Sequence, residues 1–414
     1  MSHVTGNPNS RQAALCMAER GWLAEFHTTL AWRSGSRARV LPAAWREVLE
    51  KRAFPPAVTP ALRGHPWREV LRLMLRDVFP RMQTGPLARW RGIEHVALGF
   101  DRAVGRAVMR SRNVTAVYGY MDSSVETFQA ARRRGMRTIY ELPSPYWRTA
   151  LGIMQEEASL QPAWAATLPH MSADTPKMRR RDEELRLADA VVVPSAFVKD
   201  SLRHAPGLRA EIHVVPYGGP EPAAGPSRER PAGPLRVLFA GTLTQAKGLS
   251  YLDEAARSLG PAITLTLAGA QHEDGGCAAL RDFLARHRHV GQLSHAQLLA
   301  EMDHHDVLVL PTLLEGMPLV ALEAFSRGLP VIATHHAGLG GVLEDGREGF
   351  LVPIRDAAAL SNRLTRLMHE ADLLRKMRGA AEELGRRQSW ACYRVALAAT
   401  LSQVTGLSAP PALN

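Results

Sequence analysis

The sequence predicts an α/β fold made of two Rossmann-like domains, and three observations lead to this class. Short apolar runs, typical of buried parallel strands, alternate with helical segments in both halves of the chain. A Gly- and Pro-rich stretch without periodicity, residues 218–234, separates the halves. A chain of 414 residues is long enough for two domains of ordinary size. We therefore predict a first domain over residues 1–218, a linker over 219–234, a second domain over 235–388, and a final helix and tail over 389–414.

The first half is predicted to contain βαβ units of an open parallel sheet. Strands are expected at residues 115–120, 138–142 and 190–194, with a helix at 124–134 between the first two. A shorter strand at residues 2–5 opens the chain. Ligands bind at the carboxyl ends of the strands in such sheets, so the segments that follow these strands are candidates for a binding site.

The loop after the opening strand is one such candidate. It contains Gly6, Asn7, Asn9 and Arg11, and a helix is predicted from Gln12. The alternative interpretation is a plain turn without a binding role.

Residues 33–112 intermix apolar and basic side chains, as around Trp45 and in the segment that contains Trp67, Arg68 and Arg72. This pattern predicts amphipathic helices inserted between strands. A helix face that packs on its own domain is one interpretation. The other is an acceptor groove or a membrane-surface contact, which basic residues beside Trp and Leu favour.

The second half repeats the alternation of strands and helices. Its strands are predicted at residues 236–241, 263–268, 306–310, 330–334 and 349–352, and the last helix at 390–404.

Residues 312–325 place two carboxylates eight positions apart around the start of a helix. Glu315 and Gly316 form a turn after a buried strand, and Pro318 suits the first helical position. The free N–H groups of that first turn can bind an anion. Glu323 lies five residues beyond Pro318, roughly 7 Å further along the helix axis. A nucleotide diphosphate sugar fits this spacing, with the diphosphate at the helix N-terminus, the sugar hydroxyls toward Glu315 and the ribose hydroxyls toward Glu323.

The alternative for Glu323 is an ordinary solvated carboxylate on a helix. The sequence favours a bound one, because Glu323 is the one ionisable residue from Pro318 to Phe325. A helix so apolar is expected to be buried nearly all round, and a buried carboxylate needs a partner.

Lys247 is the candidate cation for the diphosphate. It follows a predicted strand and a loop that begins at Gly241, so its ammonium can reach the carboxyl end of the sheet. The chain has no Asp-x-Asp element to hold a divalent metal. We therefore expect no metal and no cofactor, with the charge neutralised by Lys247, backbone N–H groups and the helix N-terminus at residues 316–319.

These segments resemble the family-4 retaining glycosyltransferases, whose signature is a Glu, seven residues and a second Glu on a GT-B fold. Residues 235–248 resemble the family's strand and phosphate loop, and the match covers most of residues 235–370. Further similar stretches are 324–334, 337–338 and 348–353. The resemblance implies two domains that face each other across a cleft, a last helix that crosses back onto the first domain, and transfer of a sugar from a nucleotide diphosphate sugar to a hydroxyl acceptor with retention of configuration.

The resemblance also implies roles for single residues. Lys247 and Glu315 would be catalytic, with Glu315 orienting the sugar rather than attacking it. The donor-binding set would be Gly241, Thr242, Gly316, Met317, Pro318, Leu319, Val320 and Glu323. The chain departs from the family at Thr242, where an Arg is usual, and Arg11 of the first domain is the candidate to compensate.

The acceptor side would lie in the first domain, in the loop from Gly6 to Arg11 and at the ends of two strands. Tyr120, Asp122 and Glu141 are the candidates there, and a purely structural role is the alternative for each. The acceptor itself is expected to be a glycan, a lipid or a small molecule. The alternative functions are those of a sugar-nucleotide epimerase, a phosphorylase, or a non-catalytic binding or scaffold protein.

The charge of +11 and the pI near 10.1 do not predict a nucleic-acid partner. Only five of the 51 basic residues are lysine, the arginines are spread along the chain, and no aromatic stacking array accompanies them. The three cysteines have no metal-ligand spacing. Without an apolar run of about 18 residues or a leader, the expected location is cytoplasmic, with peripheral contact at the inner face of the membrane as a further expectation.

Overall fold

The computed structural model of the protein describes residues 1–32, 52–77, 92–169, 171–173, 175–222, 233–271 and 276–408. Trp45 and most of the predicted linker, residues 223–232, lie outside the described residues.

The first half of the chain is a parallel sheet covered by helices. Its strands are β1 (Phe26–Thr28), β2 (Leu62–Gly64), β3 (Ala116–Tyr120), β4 (Arg137–Glu141), β5 (Ala190–Val193) and β6 (Glu211–Val214). Its helices are α1 (Pro8–Glu19), α2 (Trp67–Asp77), α3 (Ile93–Arg110), α4 (Val125–Arg133), α5 (Trp147–Leu160), α6 (Pro176–Leu187) and α7 (Ala196–Ser201).

Strands β3 to β6 pair in chain order, and β1 pairs with β2. The first residues of the chain lie between β1 and β3 and join the two groups. The Ser2 N–H donates to the Tyr118 carbonyl at 3.0 Å, and the His3 N–H donates to the His27 carbonyl at 3.0 Å. The strand order therefore reverses between the N-terminal residues and β3, as it does in Rossmann-like sheets.

The chain's opening differs from the sequence prediction in two ways. The strand expected at residues 2–5 is a single bridge at Ser2, because the His3 Nδ1 accepts the N–H groups of Thr5 and Gly6 and turns the chain away. The first helix begins at Pro8 and not at Gln12. The Asn7 side chain caps it by accepting the Ser10 N–H at 2.9 Å.

The second half is a six-stranded parallel sheet. Its strands are β7 (Leu235–Ala240), β8 (Ile263–Ala268), β9 (Arg288–Gly291), β10 (Val307–Leu310), β11 (Val331–Thr334) and β12 (Gly349–Val352). Its helices are α8 (Leu249–Leu259), α9 (Ala278–Arg286), α10 (His295–Met302), α11 (Leu319–Ser326), α12 (Ala357–His369) and α13 (Ala371–Arg387), followed by α14 (Trp390–Thr405).

The spatial order β12-β11-β10-β7-β8-β9 is that of a Rossmann fold, with the reversal between β7 and β10. The central strands are apolar on both faces because helices cover both sides of the sheet, and Val237, Leu238, Val307 and Leu308 are all 0% exposed. The predicted α/β class with two Rossmann-like sheets is confirmed.

Backbone hydrogen bonds and the packing of the last helix connect the two halves of the chain. The Gly219 N–H donates to the Gln388 carbonyl at 2.8 Å, and the Trp390 N–H donates to the Gly219 carbonyl at 3.0 Å. Beyond this point α14 packs on α1, where the Cys16 thiol donates to the Arg394 carbonyl at 3.1 Å. The last helix of the chain thus lies on the first half.

Candidate active site

A cavity of about 440 Å³ opens at the carboxyl ends of β7, β8 and β10, where the strand order of the second sheet reverses. Loops leave this edge on either side of the reversal, so the fold itself creates the opening. The cavity is lined by Gly241, Thr242, Lys247, Gly269, Gln292, Leu293, Thr312, Glu315, Met317, Pro318, Leu319 and Val320, among others. The structure therefore brings together most of the residues that the sequence predicts for the donor. Gly316 and Glu323 are not among the lining residues.

Lys247 and Glu315 form an ion pair across the cavity floor, between Nζ and Oε1. Their side chains are 25% and 27% exposed, so both remain open to a ligand. Burial lowers the pKa of Lys247 to about 8, while the adjacent carboxylate favours the charged ammonium. The side chain is therefore mainly an ammonium at neutral pH.

The backbone around Lys247 is fixed by contacts with the loop that carries Glu315. Residues Gln245–Lys247 form a 3-10 turn, and the carbonyl of Ala246 accepts the Leu313 N–H at 3.0 Å and the Thr312 hydroxyl at 3.1 Å. Gly248 ends the turn with φ +72, and a Cβ there would lie 1.9 Å from the Pro311 carbonyl oxygen. Only glycine fits this position, so the glycine after Lys247 is a structural requirement of the turn.

The Glu315–Gly316 turn lies against the first half of the chain. The Ser195 hydroxyl donates to the Gly316 carbonyl at 2.6 Å, and a Cβ on Gly316 would lie 1.8 Å from the Pro143 carbonyl oxygen. Gly316 thus permits the close approach of the two halves beside the cavity. The Glu315 N–H donates to the His336 carbonyl at 2.9 Å, which orients the turn from the other side.

Helix α11 begins at Leu319 and not at Pro318. Pro318 has φ −73° and ψ 116° and is the N-cap, and its carbonyl accepts the Ala321 N–H at 3.0 Å. The ring of proline fixes φ but leaves ψ open, so the sequence could not distinguish the two positions. Leu319 and Val320 line the cavity, which places the unpaired N–H groups of the first turn at its wall.

Glu323 has a protein partner in this structure. Its carboxylate lies 3.1 Å from Nε2 of His295, the first residue of α10, and its side chain is 15% exposed. Burial raises the pKa of Glu323 above its usual range, and the neighbouring His295 acts in the opposite direction. The partner that a half-buried carboxylate needs is therefore present without a ribose. The ribose-binding role of Glu323 stays a prediction.

Lys247 is the one basic side chain among the described residues that line the cavity. Thr242, at the position where the family usually has Arg, is exposed and brings no charge. Arg11 is not a lining residue. Its guanidinium lies 5.6 Å from the ring centroid of Phe54, within the first half.

The ends of β3 and β4 correct the expectation that Glu141 faces the cleft. Glu141 is 1% exposed and accepts hydrogen bonds from the Tyr118 hydroxyl at 2.6 Å and the Tyr217 hydroxyl at 2.8 Å. The Asn9 amide donates to the same carboxylate at 2.8 Å, so Asn9 is buried with it. Helix α1 begins earlier than predicted and covers these strand ends, which explains the difference. Burial raises the pKa of Glu141.

Asp122 and Tyr120 lie at a second, smaller cavity. It measures about 150 Å³ and is lined by His3, Val4, Thr5, Ile93, Glu94, Ala97, Tyr120, Met121, Asp122, Ser123 and Lys177. Asp122 has φ +73 and binds Arg181 through two hydrogen bonds of 2.7 and 2.9 Å. Tyr120 is 3% exposed and packs edge-on against His3 with ring centroids 4.6 Å apart. Gly6, with φ +68, and Asn7 form the turn that precedes α1.

Sequence reasoning missed three residues at or near the site. His295 follows Ser294 in a Ser-x-x-Gln capping box, which marks a helix start but does not indicate a contact with Glu323. Gln292 and Leu293 follow β9, an edge strand with two exposed residues that the apolar pattern does not reveal.

The described residues contain no group of three or more His, Cys, Asp or Glu placed to hold a metal ion. In the same part of the chain, every helix is too short or too polar to cross a bilayer.

Comparisons with known proteins agree with this architecture. Residues 224–384 match the model of the family described as Glycosyl transferases group 1. A glycogen synthase of Mycobacterium tuberculosis is 32% identical over 225 residues, which cover 52% of this chain and 54% of that protein. The chain thus spans about half the length of the first curated relatives it matches.

Solved structures of other proteins match over nearly the whole chain. A sucrose-phosphate synthase of Thermosynechococcus elongatus has a TM-score of 0.66 at 19% identity, covering 98% of both chains. The Anabaena protein HepE in complex with UDP-glucose has a TM-score of 0.63 at 15% identity, covering 97% of this chain and 98% of that one. At such identities the likeness shows the fold, which is the GT-B fold of two Rossmann-like domains. Residues 224–384 are thus similar to the glycosyl transferases group 1 family.

Proposed function

We propose that the protein transfers a sugar from a nucleotide diphosphate sugar to a hydroxyl acceptor. One observation carries the proposal: Lys247, Glu315 and the N-terminus of α11 meet in one cavity at the reversal point of a Rossmann-like sheet. A cation and a row of free N–H groups suit a diphosphate, and a carboxylate beside them suits sugar hydroxyls. The UDP-glucose complex of the structurally similar HepE supports a donor of this class.

We infer that the reaction needs neither a metal nor a cofactor. The bond between the anomeric carbon and the diphosphate oxygen breaks, and the departing oxygen takes the proton of the acceptor hydroxyl on the same face. The acceptor oxygen then bonds to that carbon, so the configuration is retained. Lys247 and the α11 N–H groups would stabilise the negative charge of the leaving diphosphate. Glu315 would hold the sugar by its hydroxyls, and it would contact Lys247 only until the donor arrives.

The acceptor would approach from the first domain. As a second proposal, this acceptor is bound to a membrane, which the first domain contacts. Trp67 at the start of α2 is 58% exposed, Met74 in the same helix is 46% exposed, and the Arg68 guanidinium lies 4.5 Å from the Trp67 ring centroid. An exposed Trp and Met beside Arg68 suit peripheral contact with an anionic membrane. Flotation with phosphatidylglycerol vesicles tests it: the Trp67→Ser variant should float less than wild type, and equal flotation would contradict the contact.

A donor panel tests the main proposal. Wild-type protein is incubated with ADP-, GDP- and UDP-glucose and UDP-N-acetylglucosamine, together with glycan and lipid acceptors, and release of nucleoside diphosphate is followed. Acceptor-dependent release from at least one donor is expected, with the anomeric configuration of the product read by NMR. An epimerase would change the sugar with little release, and a scaffold would bind without turnover.

A further inference from the structure

A carboxylate from the first half of the chain is fully buried against the turn that carries Lys247. Glu157 of α5 is 0% exposed. Its Oε1 accepts hydrogen bonds from the Gln245 amide at 2.7 Å and the Tyr251 hydroxyl at 3.0 Å, and its Oε2 accepts one from the Arg355 Nε at 2.8 Å. All three donors belong to the second half. A buried charge is tolerated only with such a set of donors, so the halves are joined at this carboxylate.

Gln245 links Glu157 to the turn that carries Lys247. It is the first residue of the 3-10 turn that ends at Lys247. Its backbone N–H donates to the Thr167 hydroxyl at 2.8 Å, so the first half holds both the side chain and the backbone of Gln245. The next carbonyl in the turn, that of Ala246, accepts the Leu313 N–H from the segment that leads to Glu315.

Arg355 supplies an independent observation. It has φ +64, a left-handed conformation that arginine rarely adopts, and is thus held by its surroundings. Its guanidinium contacts Glu157 and also Glu156 at 2.7 Å, and it donates to the Ile153 carbonyl at 3.2 Å. The second half therefore keeps a strained residue where it meets α5.

We propose that Glu157 is a positioning residue that couples the docking of the first domain to the placement of Lys247 against the donor diphosphate. The inference rests on the proposed function of Lys247. When the halves separate at α5, Gln245 loses the Glu157 carboxylate and keeps only its side-chain bonds to Ser250, so the turn is held less firmly. When they dock, the Lys247 ammonium is placed at the cavity. Glu157 acts through the turn and does not touch the donor.

Calorimetric titration with ADP, GDP and UDP tests the proposal, together with kcat/KM for the donor. Glu157→Gln keeps the shape but loses the charge, and it should weaken diphosphate binding about tenfold or more. Glu156→Gln is the matched control, because Glu156 is adjacent on α5 and binds the same Arg355 but has a side chain 61% exposed. This control should bind within twofold of wild type.

A double variant distinguishes positioning from a general loss of structure. If Glu157 acts through Lys247, adding Glu157→Gln to Lys247→Ala should cause little further loss of affinity. Additive losses would overturn the proposal, as would unchanged binding by Glu157→Gln. Gln245→Ala removes the amide that donates to Glu157. This variant replaces Glu157→Gln in the test if circular dichroism shows that Glu157→Gln is unfolded. It should weaken binding in the same way, and unchanged binding in this variant would also overturn the proposal. A wild-type protein that binds none of the three diphosphates would overturn the proposed function itself.

Discussion

At the scale of single residues, Lys247 is the one basic side chain among the described residues that line the cavity, and the proposed function gives it the diphosphate charge to stabilise. Lys247→Ala should therefore lower kcat/KM for the donor by the loss of one preorganised charge, about 2–4 kcal/mol or roughly 30- to 900-fold. Steady-state kinetics gives the value. Lys376→Ala, an exposed lysine on α13, is the control and should match wild type. Activity within threefold of wild type in Lys247→Ala would remove Lys247 from the mechanism, and loss of turnover with a chelator would contradict the metal-free proposal.

The lowered pKa of Lys247 gives a prediction about pH. The ammonium is charged below its pKa of about 8 in the empty site and neutral above it. The kcat/KM for the donor reports groups of the free enzyme, so it should fall as the pH rises through about 8. Lys247→Arg keeps its charge throughout this range and should move the fall to higher pH, whatever its absolute rate. A fall at the same pH in both proteins would assign it to another group.

The roles of Glu323 and Glu315 should be distinguishable when the effect of each substitution on diphosphate binding is compared with its effect on turnover. A nucleoside diphosphate carries the ribose but not the transferred sugar. Glu323→Gln should thus weaken its binding by roughly 1.5–3 kcal/mol, while Glu315→Gln should leave binding nearly intact and depress turnover. Calorimetry and single-turnover rates measure both effects. His295→Gln is the control for the His295–Glu323 contact: if it reproduces the loss, the ribose role is wrong. Equal losses of diphosphate affinity in both glutamate variants would also refute the division.

The position of a single residue could be predicted from the sequence where the residue lies in the loop that follows a buried strand. Lys247 and Glu315 stand after β7 and β10, whose adjacency follows from the fold, so their meeting in one cavity could be predicted. The burial of Glu141 could not be predicted in this way. It depends on the hydroxyl of Tyr217, 76 positions away, and a sequence does not reveal such a partner.

At the scale of elements, the short 3-10 turn before α8 depends on a glycine that no other residue can replace. Gly248→Ala combines a left-handed φ with a Cβ 1.9 Å from the Pro311 carbonyl oxygen. Gly406→Ala is a matched control, because Gly406 has the same left-handed conformation with φ +70 but a Cβ at this position would have no neighbour within 4 Å among the described residues. The control should lose about 1 kcal/mol of unfolding free energy.

Gly248→Ala should lose more than the control and should also lose diphosphate affinity, because the turn must shift and carries Lys247 with it. Urea unfolding and calorimetry measure the two quantities. Equal effects of both substitutions would show that the contact with Pro311 relaxes without cost.

Buried elements were predictable and edge elements were not. Strands β8 and β12 have the predicted bounds because they are apolar runs between turn residues. Strands β6 and β9 lie at sheet edges and read Glu-Ile-His-Val and Arg-His-Val-Gly, so their hydrophobic pattern is weak. Pairing with a neighbour, and not the local sequence, makes them strands.

At the scale of the whole molecule, the halves are held together by more than the crossing at Gly219. Glu157 joins them beside the cavity, Ser195 joins them at Gly316, and α14 covers α1 on the far side. The sequence predicted a returning helix only through the family resemblance, since its contacts connect residues almost 400 positions apart.

The α14 contact should make the two halves unfold as one unit. Leu397 is 0% exposed and shares an apolar cluster with Ala13 and Cys16 of α1. Leu397→Ala should cost about 2–5 kcal/mol, because it leaves a cavity between elements from opposite ends of the chain. Val395→Ala, on the same helix with Val395 64% exposed, should cost well under 1 kcal/mol.

If α14 couples the halves, urea unfolding followed by far-ultraviolet circular dichroism and by tryptophan fluorescence should give one coincident transition, shifted by Leu397→Ala to lower urea. Two separate transitions in wild type, with only one of them shifted by Leu397→Ala, would show that the halves unfold independently and that α14 stabilises one of them alone.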